Sequence, residues 1–291
     1  MRTRKYQQLG LIGCGLMGGS FALALKKARL VRHVVGYSKS PSTTQKAYDL
    51  GVIDSQAQSA LQACIGSDLI LLAVPVSATA DMLKNIRDYV RSDTLVMDVG
   101  STKQDVADAA RQSLGWNVQY FVPAHPVTGK ESAGVAYADA NLYRGARVVL
   151  TPLHETMPEK LQQAAELWTA LGAHLTTMLP QEHDAVMAAV SHMPHLVAFA
   201  YINGLLAQGN AAQLLAMGGP GFRDFSRIAA GDAILWRDVL LANRTEVLAQ
   251  LQHMQTALAQ LQQTLENRDG VELERLIAQA SKTRAQWRMR E

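Results

Sequence analysis

Residues 9 to 20 read LGLIGCGLMGGS, an apolar run that closes on Gly13, Gly15 and Gly18 in the spacing G-x-G-x-x-G. The pattern joins a strand to a helix through a phosphate-binding turn. The first glycine permits a tight turn, the second lets backbone approach a pyrophosphate with no Cβ in the way, and the third lets the following helix pack on the sheet. Free N–H groups at the helix N-terminus then face the anion. Leu16 and Met17 stand between the second and third glycines and are expected beside a dinucleotide with them. Any glycine-rich strand-to-helix turn can imitate this spacing, so the neighbours matter. Phe21 to Ala28 continues as a helical run, and Val34 to Tyr37 reads as a second strand.

Outward from this turn, the chain alternates β-rich and helical runs from residue 8 to about 178. The expected strands are Leu9 to Gly13, Val34 to Tyr37, Leu69 to Val74, Thr94 to Val99, Tyr120 to Pro123, Arg147 to Thr151 and His174 to Met178. Helical patterns fall at Pro41 to Gly51, Val76 to Val90, Lys103 to Leu114 and Pro158 to Leu171. Such alternation predicts an α/β Rossmann-type domain over residues 1–180, with a parallel sheet covered on both faces. Leu69 to Val74 is apolar throughout, as a strand buried on both faces should be. Val74 and Pro75, at its end, are expected to line the cofactor site.

After Leu179 no further strand signal appears, which predicts an all-α second domain over residues 181–291. Leu248, Leu251, Met254, Leu258, Leu261 and Leu265 advance by three and four, giving one long helix with a continuous apolar stripe. In a domain this small, flanked by many glutamines, the stripe points to a homodimer through the C-terminal helices.

Composition narrows the class. The 291 residues carry 28 basic and 25 acidic side chains, a net charge of +3, with 48% hydrophobic residues. That balance describes a globular protein and predicts no nucleic-acid partner, while leaving an anionic metabolite welcome. Cys14 and Cys64 are too few for a disulfide framework and read as small apolar residues in a reducing compartment. Arg2, Arg4 and Lys5 ahead of an apolar run imitate a signal peptide, but that run is the glycine turn and no cleavage site follows it. No stretch reaches the roughly 18 to 20 uninterrupted apolar residues of a membrane span. A cytoplasmic protein that does not enter membranes is expected.

The end of the second strand bears on the choice of nucleotide. A carboxylate there usually binds the adenosine ribose and repels a 2′-phosphate. Here the strand runs into Tyr37-Ser38-Lys39-Ser40, with hydroxyls and a lysine instead. Ser38 and Lys39 thus favour NADP, with NAD possible.

Three further groupings carry chemistry. Asp98-Val99-Gly100-Ser101-Thr102-Lys103 leads from a strand into a helix, so Ser101 is expected in the crevice at the strand ends, as a site residue, a helix N-cap, or both. His125-Pro126-Val127-Thr128-Gly129-Lys130-Glu131 follows the strand Tyr120 to Pro123, placing a titratable imidazole beside the nicotinamide site, where it could take a hydroxyl proton while hydride leaves the same carbon. Ser191-His192-Met193-Pro194-His195 sets two histidines one turn apart on a helix that Pro194 should bend, and Arg227 follows in GFRDFSR. No ligand set completes a metal site around the histidine pair, so no metal is expected.

Together these motifs resemble the prephenate/arogenate (cyclohexadienyl) dehydrogenase family of tyrosine biosynthesis. The resemblance rests on the glycine turn, DVGSTK, HPVTGKE, SHMPH and GFRDFSRIAAGDAILWRD, in register across nearly the whole chain. It implies a Rossmann domain, a helical dimerisation domain and oxidative decarboxylation of prephenate or L-arogenate, with hydride leaving ring C4 and the C1 carboxylate leaving as CO2. It also implies that His125 is the catalytic histidine at the C4 hydroxyl, that Ser101 orients that hydroxyl, and that Arg227 binds a substrate carboxylate. By the same resemblance His195 lines the substrate pocket with Thr128 and Gly129, His192 supports the core, and Glu131 stands near the substrate entrance. No fused chorismate mutase segment before the Rossmann unit and no regulatory domain after about residue 290 are expected, so tyrosine feedback, if present, is expected at the active site or the dimer. Two alternatives stay open. A β-hydroxyacid-type dehydrogenase should have a catalytic lysine on a long C-terminal-domain helix, and no such lysine is found near residues 160 to 200. A non-catalytic NADP-binding sensor would not need Ser101, His125 and Arg227 together.

Overall fold

The computed structural model describes residues 5–130 and 132–288. Its first half is built on β1 (Tyr6–Ile12), α1 (Leu16–Lys27), β2 (Val31–Tyr37), α2 (Pro41–Asp49), β3 (Ser55–Gln56), α3 (Ala60–Cys64) and β4 (Leu69–Leu72). It continues with α4 (Thr79–Ile86), β5 (Leu95–Asp98), α5 (Gln104–Leu114) and β6 (Phe121–Val122). The six strands form one parallel sheet in the order β3-β2-β1-β4-β5-β6. The order reverses between β1 and β4, which opens a crevice at their C-terminal ends, directly at the glycine turn. Leu69, Ile70, Leu71 and Leu72 of β4 are all buried, because apolar clusters cover both faces of the sheet. On one face Phe21, Tyr143 and Trp168 form an aromatic knot, and the Tyr143 hydroxyl donates to Met17 O at 2.7 Å, pinning the first turn of α1.

The later strands depart from the expected sheet. Beyond Pro123 the chain leaves the parallel sheet and enters a second one of three strands, β7 (Ala124–Val127), β8 (Arg147–Leu150) and β9 (His174–Thr177), with α6 (Pro158–Ala170) before the last. β7 runs antiparallel to β8, and β8 parallel to β9. Alternation in sequence reveals strands but not their pairing, so Arg147–Leu150 and His174–Thr177 looked like further members of the first sheet. His125 comes three residues past β6, a strand of the parallel sheet, as the sequence placed it, and itself lies within β7, opposite Val149.

From Pro180 onward the described residues are helical: α7 (Pro180–Met187), α8 (Met193–Leu206), α9 (Ala211–Ala216), α10 (Pro220–Ser226), α11 (Ala233–Ala242), α12 (Arg244–Glu266) and α13 (Gly270–Gln286). A π-helical turn, Ala188–His192, joins α7 to α8. Pro194 has no N–H to offer Val190 O, and the chain answers with this widened turn just ahead of the proline. Pro180–Leu206 is thus one helical run of 27 residues, long and apolar enough by composition to cross a membrane, with only 28% of its most apolar window buried within this chain. The α12 stripe is also uncovered: Leu258 is 57% and Leu265 61% exposed.

Candidate active site

The glycine turn is shaped for an anion. Gly13 takes φ 97°, where a side chain is strained, and a Cβ there would overlap Ala73 O and lie 3.3 Å from Val74 N. A Cβ on Gly18 would overlap Gly13 O, so α1 sits directly on the turn. Gly15 differs, since a Cβ there meets nothing within 4 Å. The open space in front of it, at the N-cap of α1, fits the pyrophosphate of a dinucleotide. Val74 borders the same turn, and Pro75 follows it in the chain. Ser38 Oγ accepts from Cys14 N at 2.9 Å and Tyr37 O accepts from Gly13 N at 2.7 Å, so the end of β2 holds the turn in place. Lys39 is exposed beside it, followed by the N-terminus of α2.

At the end of β5 lies a buried ion pair. Lys103 Nζ donates to Asp98 Oδ2, which also accepts from Gly100 N at 2.8 Å, while Asp98 Oδ1 accepts from Ala124 N at 3.1 Å. One carboxylate therefore fixes both the loop that carries Ser101 and the start of the strand that carries His125. Ser101 is half-buried in that loop, and it is not the N-cap of α5. The cap comes from the other domain: Asp184 Oδ1 accepts from Lys103 N at 2.8 Å and Oδ2 from Gln104 N at 2.9 Å.

Asp184 also begins a chain of rings. His183 Nδ1 lies 2.7 Å from Asp184 Oδ1, and His183 Nε2 lies 2.8 Å from His125 Nδ1. Asn243 Nδ2 donates to Asp184 O at 2.8 Å and sits 3.2 Å from His192 Nδ1. Burial, with the neighbouring His183, Lys103 and His192, holds the His125 imidazole well below its ordinary value, so it is neutral at physiological pH. Burial pushes His192 down to about 4.

The second cluster faces this one from the helical domain. His195 Nδ1 bonds Ser191 O at 2.9 Å, and Trp236 stacks on its ring. Burial lowers the His195 imidazole and the nearby Arg227 guanidinium lowers it further, which places the two side chains at one locality. His192 is close enough to act electrostatically on His125 and to feel His195, so the clusters adjoin. Thr128 follows β7, its Oγ1 3.4 Å from Leu142 O, and Gly129 is exposed next to it. Glu131 lies outside the described residues. No three His, Cys, Asp or Glu side chains among the described residues are grouped to hold a metal ion.

The sequence reading passed over His183, Asp184, Asn243 and Trp236. A buried His-Asp pair beside apolar positions of a helix was the available signal, but the fragment PQEHDAV looks like a solvated helix start.

Comparison with known proteins finds matches over both halves of the chain. Residues 21–177 match the family model for the prephenate dehydrogenase nucleotide-binding domain, and residues 179–279 match that for the prephenate dehydrogenase dimerization domain. Prephenate dehydrogenase of Bacillus subtilis is 35% identical over 272 residues, 93% of this chain and 73% of that protein. Cyclohexadienyl dehydrogenase of Zymomonas mobilis is 30% identical across 91% of this chain and 90% of its own. The crystal structure of A. aeolicus prephenate dehydrogenase in complex with hydroxyphenyl propionate and NAD+ superposes with a TM-score of 0.90 at 33% identity, covering 96% of this chain and 97% of that one. An open glycine cradle, a buried neutral histidine and matches over both domains put this chain in the prephenate dehydrogenase family, the nicotinamide-dependent dehydrogenases of tyrosine biosynthesis.

Proposed function

We propose that this chain carries out the oxidative decarboxylation of prephenate and/or L-arogenate with NADP, giving 4-hydroxyphenylpyruvate or L-tyrosine. The observation that carries the reading is His125, buried and held neutral against His183, with His192 close to both it and the His195–Arg227 cluster. The cofactor's nicotinamide ring supplies the hydride acceptor. The glycine turn, Leu16, Met17, Val74 and Pro75 bind and orient it. His125 takes the proton of the C4 hydroxyl as the C4 hydride departs, and Ser101 orients that hydroxyl. Arg227 holds a substrate carboxylate, where a planar guanidinium can make a bidentate pair, and His195, Thr128 and Gly129 line the pocket. Glu131 is assigned to its entrance. Release of CO2 and aromatisation drive the reaction, so the protein's part is positioning and one proton transfer.

Ser38, Lys39 and the N-terminus of α2 favour the 2′-phosphate of NADP over a bare ribose, with NAD as the second choice. The uncovered faces of α8 and α12 fit a homodimer with the N-terminal unit 1–180 and the helical unit 181–291 in each subunit. Two free, buried cysteines, whose thiols burial pushes up to about 11 and about 12, suit a reducing cytoplasm.

The test is reduced-nicotinamide formation by purified protein, with NADP and NAD crossed against prephenate and L-arogenate. Turnover with NADP and either substrate is the expected result. A strong preference for NAD overturns the Ser38–Lys39 argument alone, and inactivity of folded, cofactor-binding protein in all four combinations overturns the reaction.

A further inference from the structure

Donor and acceptor accounting in the buried chain Asp184–His183–His125 leads beyond this assignment. Backbone N–H groups can only donate, so both Asp184 oxygens accept, from Lys103 N and from Gln104 N. A carboxylate that accepts from two backbone donors at the N-terminus of the eleven-residue helix α5 has no proton of its own to give. His183 Nδ1 must then be the donor of the 2.7 Å bond to Asp184 Oδ1. A neutral imidazole has one donor and one acceptor nitrogen, so His183 Nε2 is an acceptor. The 2.8 Å bond to His125 then requires His125 Nδ1 to carry its proton. His125 Nε2 is left with a free lone pair.

We infer that His183 and Asp184 are positioning residues that lock His125 in the Nδ1–H tautomer, so that its Nε2 is the proton acceptor, and that they do so across the domain boundary. The inference rests on the reading of His125 as the base. His125 is on β7 of the nucleotide-binding half, whereas both partners are on α7, the first helix of the other half. Asp184 joins the halves a second time by capping α5, the helix that follows the Ser101 loop. Docking of the two domains and selection of the tautomer are thus one event. The charged and titratable groups facing His125 are His183 from α7, Lys103 from the β5–α5 loop, and His192 from the π-helical turn. None of them is a carboxylate. Asp184 reaches His125 only through the His183 ring, which makes that ring the necessary intermediary.

The experiment pairs spectroscopy with kinetics. In protein labelled with 15N-histidine, long-range 1H–15N correlation separates protonated from unprotonated ring nitrogens. At neutral pH the His125 signals, assigned by their loss in His125→Asn, should show a protonated Nδ1 and a bare Nε2; a proton on Nε2 overturns the inference even if the His183 variants misfold. Kinetically, His183→Leu should lower kcat on the order of 100-fold while substrate KM stays within about threefold, since a mis-set general base typically loses that much. His183→Gln keeps an acceptor toward His125 and a donor toward Asp184, and should recover a good part of that loss. Equal activity of His183→Leu and the unsubstituted enzyme across the pH range, with His125→Asn inactive, overturns the inference while leaving the reaction in place. An active His125→Asn removes the base assignment itself.

Discussion

The indole of Trp236 lies flat on the imidazole of His195, with ring centroids 3.7 Å apart and planes 23° from parallel. Trp236 is on α11 and His195 on α8, so the stack sets the orientation of a pocket ring from a second helix. Removing it should loosen substrate binding more than chemistry. Trp236→Leu is expected to raise substrate KM by about tenfold, the equivalent of roughly 1.4 kcal/mol of ring stacking and packing, with kcat changed by less than threefold. Steady-state kinetics at saturating cofactor reads both numbers.

His125 and Arg227 should separate in the opposite sense to each other. His125→Asn removes the proton acceptor while preserving size, and turnover should fall by about 100-fold or more with little change in KM. Arg227→Ala removes a carboxylate partner and should act mainly on KM. The reverse pattern would exchange their assigned roles.

Gly15 and Gly18 make a contrasted pair. At Gly18 a Cβ would overlap backbone, so Gly18→Ala should cost about 1–3 kcal/mol of stability as well as cofactor affinity. At Gly15 there is space within the protein, so Gly15→Ala should change stability by less than about 1 kcal/mol. Its methyl group would instead occupy the cradle assigned to the pyrophosphate. Denaturant unfolding without cofactor, beside cofactor titration, distinguishes the two effects.

Lys103 and Asp98 form a buried pair, and breaking one from a single side should be severe. Lys103→Met leaves the Asp98 carboxylate buried with only its two backbone donors, a loss expected to reach about 3–5 kcal/mol. The double variant Lys103→Met, Asp98→Asn should recover part of it. Urea midpoints of the two variants provide the comparison.

Acid should weaken the fold through its buried histidines. His192 titrates near 6.5 when unfolded but is pushed down to about 4 in the native protein. Between those values the unfolded chain binds the proton and the folded one does not, so stability falls as pH drops through this window and levels off below it. At 1.36 kcal/mol per unit the loss from this residue is about 3 kcal/mol, and His125 is shifted in the same direction. Unfolding free energies measured from neutral pH to about pH 4 should show this slope, and His192→Gln should flatten it.

The glycine turn was readable from sequence because its demands are local: Gly13 needs positive φ and Gly18 needs close contact, and only glycine meets either. The parallel sheet was readable for a similar reason, since β4 is apolar on both faces. What the sequence hid depends on distance along the chain. His183 meets His125 across 58 residues and Asp184 meets Lys103 across 81, and no periodicity encodes such encounters. The α5 cap shows the difficulty well. Ser101 had the right residue type near the right place, yet a carboxylate from another domain took the position. The second sheet was missed because β-propensity identifies strands without naming their partners.

The junction at Asp184 bears on how such a protein can be taken apart. A chain cut after Leu179 would release a nucleotide-binding half whose α5 has lost its cap and whose His125 Nδ1 has lost its partner. The helical half would carry away a carboxylate and an imidazole that had faced each other inside the fold and must now be hydrated. Each piece would expose polar groups that the other satisfies in the intact chain. Chimaeras that graft one relative's cofactor half onto another's helical half would therefore have to carry the His183–Asp184 dipeptide and its receiving surface as a single inherited unit.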